Sequence, residues 1–111
     1  MTTKTYNKLV RDKVPDIIES TGSECKFHVA AYEEFLLKLK EKLLEEAQEF
    51  FDNPCVEELA DIQEVLDTIS QIHYWDVYGA RHDKRYLRGA FWNRYVLDEV
   101  KEASDTREVR E

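Results

Sequence analysis

The sequence predicts an all-α fold organised around an antiparallel helical hairpin. Three observations carry that expectation. Between Tyr32 and about Asp52 there is neither Gly nor Pro, and helix-forming residues dominate. Asp52-Asn53-Pro54 breaks that run, and a second helical stretch follows from about Pro54 to Tyr74. Both stretches carry apolar residues at helical spacing, and a linker this short folds two helices back against each other.

The elements follow in order. Residues 6–21 hold a short helix, with Pro15 near its start and Ile17-Ile18 as its apolar part. Thr21-Gly22-Ser23 is a turn. Cys25-Lys26-Phe27-His28-Val29 alternates apolar and polar residues, which predicts a short extended piece. The first long helix occupies Tyr32 to about Asp52. Asn53 is expected to cap the second long helix, with Pro54 at its first position. Gly79 is expected to interrupt that helix or the segment after it. Residues 81–97 are basic and aromatic, with a turn at Gly89-Ala90. Asp98 to Glu111 form a charged tail, expected to fray at its end. The sequence has no internal repeat and no low-complexity segment.

Composition narrows the function classes. A chain of 111 residues fits a single domain, 1–111. At 42% apolar it can form a core, but a thin one that a second copy would help to stabilise. Three Gly and two Pro exclude collagen-like and Gly/Ser-rich disordered classes. No uncharged apolar run approaches the roughly 18 residues of a membrane span, and Met1 to Tyr6 lacks the apolar core of a secretory signal. Cys25 and Cys55 have neither disulfide-scaffold nor metal spacing and read as reduced thiols, so the expected location is cytoplasmic. The net charge of -8 is unevenly spread. Residues 33–67 carry twelve acids against three lysines, while residues 1–15 (Lys4, Lys8, Arg11, Lys13 against Asp12) and 81–95 (Arg81, Lys84, Arg85, Arg88, Arg94 against Asp83) are net basic. That pattern excludes a general nucleic-acid binder and suits a site where acids hold cations and bases reach anions.

Helical wheels locate those acids. On the first long helix Leu36, Leu39, Leu43, Ala47 and Phe50 share one face, within about 40° of Leu43. Glu46 falls inside that arc and Glu49 on its edge, whereas Glu45 falls on the solvent side. On the second helix Cys55, Leu59, Ile62, Val65, Leu66 and Ile69 form the apolar arc. Glu58 falls inside it and Asp61 on its edge, with Glu57 and Glu64 opposite. Buried carboxylates are costly without partners, and four converging across a hairpin repel. A divalent cation is the simplest compensation; oxygen ligands at i, i+3 suit Mg²⁺, or Mn²⁺. Local pairing of Lys42 with Glu46 at i, i+4 is the plainer alternative, although one lysine cannot serve four acids.

Three segments then point to a family. Glu45-Glu46-Ala47-Gln48-Glu49 followed by Glu58-Leu59-Ala60-Asp61 resembles the EExxE…ExxD signature of MazG-like, all-α nucleoside triphosphate pyrophosphohydrolases. The string Tyr6-Asn7-Lys8-Leu9-Val10-Arg11-Asp12-Lys13-Val14-Pro15 resembles the N-terminal segment of the small phosphoribosyl-ATP pyrophosphohydrolase-like branch. Arg88-Gly89-Ala90-Phe91-Trp92-Asn93-Arg94 is similar to that branch's R-G-G-F-x-x-R segment. Together these cover residues 6–97.

The resemblance implies a four-helix, MazG-like core completed by assembly into a homodimer or higher homo-oligomer. It implies Mg²⁺ ligation by Glu46, Glu49, Glu58 and Asp61, the same four that the wheels select. It also implies hydrolysis of a nucleotide to the monophosphate and pyrophosphate, with water attacking the α-phosphate. The catalytic acids are then Glu45, Glu46 and Glu49, the proton acceptor being Glu45 or one of the ligand carboxylates. Lys8, Arg11 and Lys13 are expected to hold phosphates, with Lys84, Arg85, Arg88 and Arg94 as further anion-binding bases. Two features depart from the family pattern. Only eight residues separate Glu49 from Glu58. Ala90 replaces a Gly, and residues 74–83 are rich in aromatic residues and histidine. Both departures bear on substrate choice.

The remaining residues add little chemistry. His28, His73 and His82 stand without partner spacing, and His73 reads as a packed histidine. The aromatic residues from Tyr74 to Trp92 read as core and oligomer packing, or as stacking surfaces for a base. There is no Gly-rich phosphate loop and no Ser/His/Asp or Cys/His order. The rival reading is a non-catalytic helical module that binds a nucleotide or a protein.

Overall fold

The computed structural model describes residues 2–103. Among these the protein is all-helical, with four helices and no strand. The helices are α1 (Val14–Ser20), α2 (Tyr32–Asp52), α3 (Val56–His73) and α4 (Val77–Arg88). The described residues divide into two compact units, one up to Trp75 and one from Asp76 onward.

In the first unit, α1 starts where the sequence places Pro15, after a turn closed by Val14 N–H to the Arg11 carbonyl at 3.0 Å. It ends when Ser20 and Thr21 hydroxyls donate to the Ile17 and Ile18 carbonyls, both at 2.6 Å. Gly22 follows at φ +89°, a left-handed conformation that completes the expected turn. The expected extended piece at Cys25–Val29 belongs to no sheet among the described residues. An alternating pattern needs a neighbouring strand to take its backbone hydrogen bonds, and the described residues offer none.

The main packing between elements is α2 against α3, the expected hairpin. The junction differs in detail from the sequence expectation. Asn53 closes α2, its N–H reaching the Glu49 carbonyl at 2.9 Å, and Cys55 is the N-cap of α3. Pro54 pushes the residue before it away from helical geometry, and Asn53 sits at φ -143° and ψ 77°. Residues 53–55 are therefore spent reversing the chain, and α3 starts after Pro54.

Leu39 and Val65 are buried at the helix-helix seam. Leu36, Leu43, Phe50, Cys55, Ile62 and Ile69 flank them half-buried, while Ala47, Leu59 and Leu66 remain exposed. The apolar arcs are wider than the stripe that two helices can cover for each other.

The second long helix does not break at Gly79. It ends at His73 because Tyr74 takes a left-handed conformation, φ +54°. The N–H groups of Tyr74 and Trp75 then reach back to the Gln71 and Ser70 carbonyls at 3.2 and 3.1 Å, closing the helix end. His73 stacks on Trp75 with ring centroids 4.0 Å apart, a packed histidine as expected.

In the second unit, Asp76 caps α4 by accepting the Gly79 N–H at 2.9 Å. A side chain at position 79 would collide with the Asp76 carboxylate, which explains the glycine inside a helix. Gly89, at φ +83°, ends α4 at the expected Gly89-Ala90 turn. Of the charged tail, residues 104–111, its expected frayed end included, lie outside the described residues.

Candidate metal centre

The four acids chosen by wheel position meet in space. One carboxylate oxygen each from Glu46, Glu49, Glu58 and Asp61 lies within 4.8 Å of the others. The hairpin explains the convergence. Glu46 and Glu49 sit one turn apart near the C-terminal end of α2, and Glu58 and Asp61 sit one turn apart at the start of α3. The turn at residues 53–55 brings the two pairs side by side.

The electrostatics of this cluster are unfavourable for the protein alone. Glu58 lies in the first turn of α3, where the helix dipole favours a carboxylate, but Glu49 lies in the last turn of α2, where it does not. Glu46 is only 5% exposed, and its Oε2 has no hydrogen-bond partner. Oε2 of Glu58 is likewise buried and unpartnered. Burial pushes the Glu46 carboxyl up; Lys42 opposes that shift, and the nearby Glu49 carboxylate adds to it. An unsatisfied buried oxygen costs about 1–3 kcal/mol. These two orphaned oxygens belong to residues of one four-carboxylate cluster, the donor set of a hard divalent cation. The residues present fit such an ion.

Lys42 supplies part of the compensation, with Nζ 3.2 Å from Glu46 and 3.5 Å from Glu45. The plainer alternative of local pairing is therefore real, but it reaches only one member of the cluster among the described pairs. Glu45 does not end in open solvent as its wheel position implies. It is half-buried because the N-terminal segment lies over that edge, and Lys8 Nζ donates to its Oε1 at 3.0 Å. Burial works against the Glu45 charge, yet the Lys8 hydrogen bond and the Lys42 charge outweigh it and hold this carboxyl below its ordinary range. The Glu45 hydrogen bond correspondingly raises Lys8, against partial burial; Glu49 and Glu46 add to the rise.

The other expected bases divide by unit. Arg11 Nη2 donates to Asp61 Oδ1 at 2.8 Å, directly on a member of the acid cluster. Lys38 Nζ donates to the Asn7 carbonyl at 2.7 Å and fixes the N-terminal segment to α2. Lys13 stands at the N-cap of α1. Lys84 and Arg85 lie on α4, and Arg88, at its end, lines one shallow depression with Arg94, Phe91, Trp92 and Tyr95. His28 does find a partner, Glu34, at 2.8 Å, and His82 lies 3.9 Å from Asp83.

Sequence reasoning missed the pairings of Lys8 and Arg11 with the acids. The opposite net charges of residues 1–15 and 33–67 were the available signal, but charge totals do not give register. Among the described residues no helix is long and apolar enough to cross a membrane. No family model, curated protein or solved structure matches the chain.

Proposed function

We propose that this protein is a divalent-cation-dependent nucleotide pyrophosphohydrolase of the MazG-like type, converting a nucleoside triphosphate or related nucleotide to the monophosphate and pyrophosphate. The observation that carries this reading is the partnerless, buried Oε2 of Glu46 in a cluster with three further carboxylates. Glu46, Glu49, Glu58 and Asp61 would hold Mg²⁺, or Mn²⁺. Such an ion supplies charge neutralisation for the phosphates and acidifies water. The chain's own residues do the rest. Lys8 and Arg11 lie against the acid edge and offer donors to phosphate oxygens. Glu45, held ionised by Lys8 and Lys42, and the ligand carboxylates Glu46 and Glu49 are the available proton acceptors.

Assembly into a homodimer or higher homo-oligomer belongs to the same reading. Leu37, Leu44 and Phe51 recur at seven-residue spacing along α2 and are 54%, 74% and 79% exposed. They form an apolar stripe separate from the face that packs on α3. A soluble cytoplasmic chain would cover that stripe with a second copy, giving the four-helix core.

The test is incubation of the purified protein with Mg²⁺ or Mn²⁺ and a panel of nucleoside and deoxynucleoside triphosphates, with products resolved by anion exchange. Monophosphate and pyrophosphate, lost in Glu49→Ala, is the expected result. Diphosphate and phosphate would mean that another bond is cleaved. Metal binding without turnover of any nucleotide would favour the non-catalytic binding module instead.

A further inference from the structure

The N-terminal segment carries bases to both sides of the acid cluster. Lys8 reaches Glu45 on α2, and three residues later Arg11 reaches Asp61 on α3. The segment is held independently by the Lys38 bond to the Asn7 carbonyl and by the turn that joins Arg11 to α1. Arg11 is 57% exposed at its side chain, and its guanidinium has five N–H donors in a planar fork, of which one, on Nη2, donates to Asp61. Asp61 is also one of the four carboxylates that come within 4.8 Å of one another. A monovalent guanidinium thus sits as counter-ion on a carboxylate that also belongs to a divalent-cation set. The second sign of a ligand here is the Oε2 of the nine-tenths-buried Glu46, which lacks a partner although Oε1 of the same carboxylate meets Lys42.

We infer that Arg11 is an exchangeable counter-ion, which neutralises Asp61 in the metal-free protein and turns its donors to the phosphate chain once a divalent cation takes over that carboxylate. The inference rests on the proposed metal centre and adds a coupling to it. Arg11 opposes the metal and favours the anion, so the two bind in order, the cation first. Simple electrostatics gives the sign. A fixed positive charge hydrogen-bonded to one of the carboxylates that would hold a divalent ion repels that ion even in a largely aqueous environment. The same charge attracts a polyanion lying on that ion. An Arg11 that served only to shape Asp61 would instead strengthen metal and anion binding together.

The experiment measures binding, not turnover. Mn²⁺ is titrated into the metal-free full chain, and inorganic pyrophosphate is then titrated at saturating free Mn²⁺, for the unaltered protein, Arg11→Gln and Arg11→Lys. For Arg11→Gln the expectation is Mn²⁺ binding about three- to tenfold tighter. Pyrophosphate binding should be about tenfold weaker, since charge-assisted hydrogen bonds are lost. Arg11→Lys keeps the charge, so Mn²⁺ affinity should return to that of the unaltered protein while pyrophosphate binding recovers only in part. If Arg11→Gln weakens both ligands, or leaves Mn²⁺ affinity unchanged, the exchange is wrong although the metal centre stands. If the unaltered protein binds no Mn²⁺, the metal centre itself fails and the exchange with it. Arg11 lies outside any helix and is mostly exposed, and matched thermal unfolding of the three metal-free proteins checks that each variant folds.

Discussion

Glu46 is where the opposing demands of stability and ligand binding meet in one side chain. Its carboxyl is pushed up by burial, so the fold favours the protonated form. A raised acid stabilises the native state fully below the unfolded value, near 4.5, and that contribution is lost as pH rises through the folded value. At neutral pH the ionised group is therefore a cost to the metal-free protein. Glu46→Gln removes the charge and keeps the shape. The metal-free variant should melt about 2–5 °C higher at pH 7, and should lose the stabilisation that Mn²⁺ gives the unaltered protein. Lowering the pH from 7 towards the unfolded value near 4.5 should likewise narrow the gap between the two metal-free proteins. Calorimetry with and without Mn²⁺ at both pH values checks this. An equal or lower melting temperature for Glu46→Gln would remove the argument that the buried carboxylate is kept for a ligand. Glu46 was legible in the sequence because a carboxylate inside an apolar arc contradicts the period around it. Glu45 was not, because a wheel describes one helix and knows nothing of the segment that later covers it.

The long helices announced themselves through composition and period, whereas their ends were decided by three or four residues acting together. The α2–α3 junction is one case: Pro54 signals a helix start, but it also displaces Asn53 from helical geometry, and the cap falls on Cys55. Tyr74 is the other. A left-handed tyrosine leaves no mark in the sequence, since the position is ordinarily filled by glycine or asparagine. The conformation is imposed by the two hydrogen bonds that close α3. It costs energy because a Cβ crowds the neighbouring carbonyl at positive φ. Tyr74 is almost fully exposed, so removing its side chain sacrifices little packing. Tyr74→Gly should stabilise the protein by about 0.5–1 kcal/mol. Urea unfolding should show a higher midpoint with an unchanged slope. A lower midpoint would show that the tyrosine ring contributes more by its contacts than its backbone costs.

On the scale of the whole chain, the outstanding quantity is the apolar surface left uncovered. Leu39 and Val65 are the buried hydrophobic residues among those described, a very small core for a chain of 111 residues. The exposed stripe of Leu37, Leu44 and Phe51 runs parallel to the covered face of α2, so a single hairpin cannot satisfy both. The sequence held this information, since α2 is apolar over more than one arc, but a wheel centred on Leu43 leaves Leu37, Leu44 and Phe51 outside the core face. If a second copy covers the stripe, folding and assembly are one equilibrium. The melting temperature must then rise with protein concentration, as binding of the native state by its own partner stabilises it by mass action. Leu44→Asp places a charge at the centre of the stripe. It should shift sedimentation towards the monomer and lower the melting temperature by several degrees at micromolar concentration. Because Leu44 is exposed in the isolated chain, the same substitution should be nearly neutral for a protein that never assembles. A melting temperature independent of both concentration and Leu44→Asp would therefore exclude self-association through α2 and leave the stripe to a different partner.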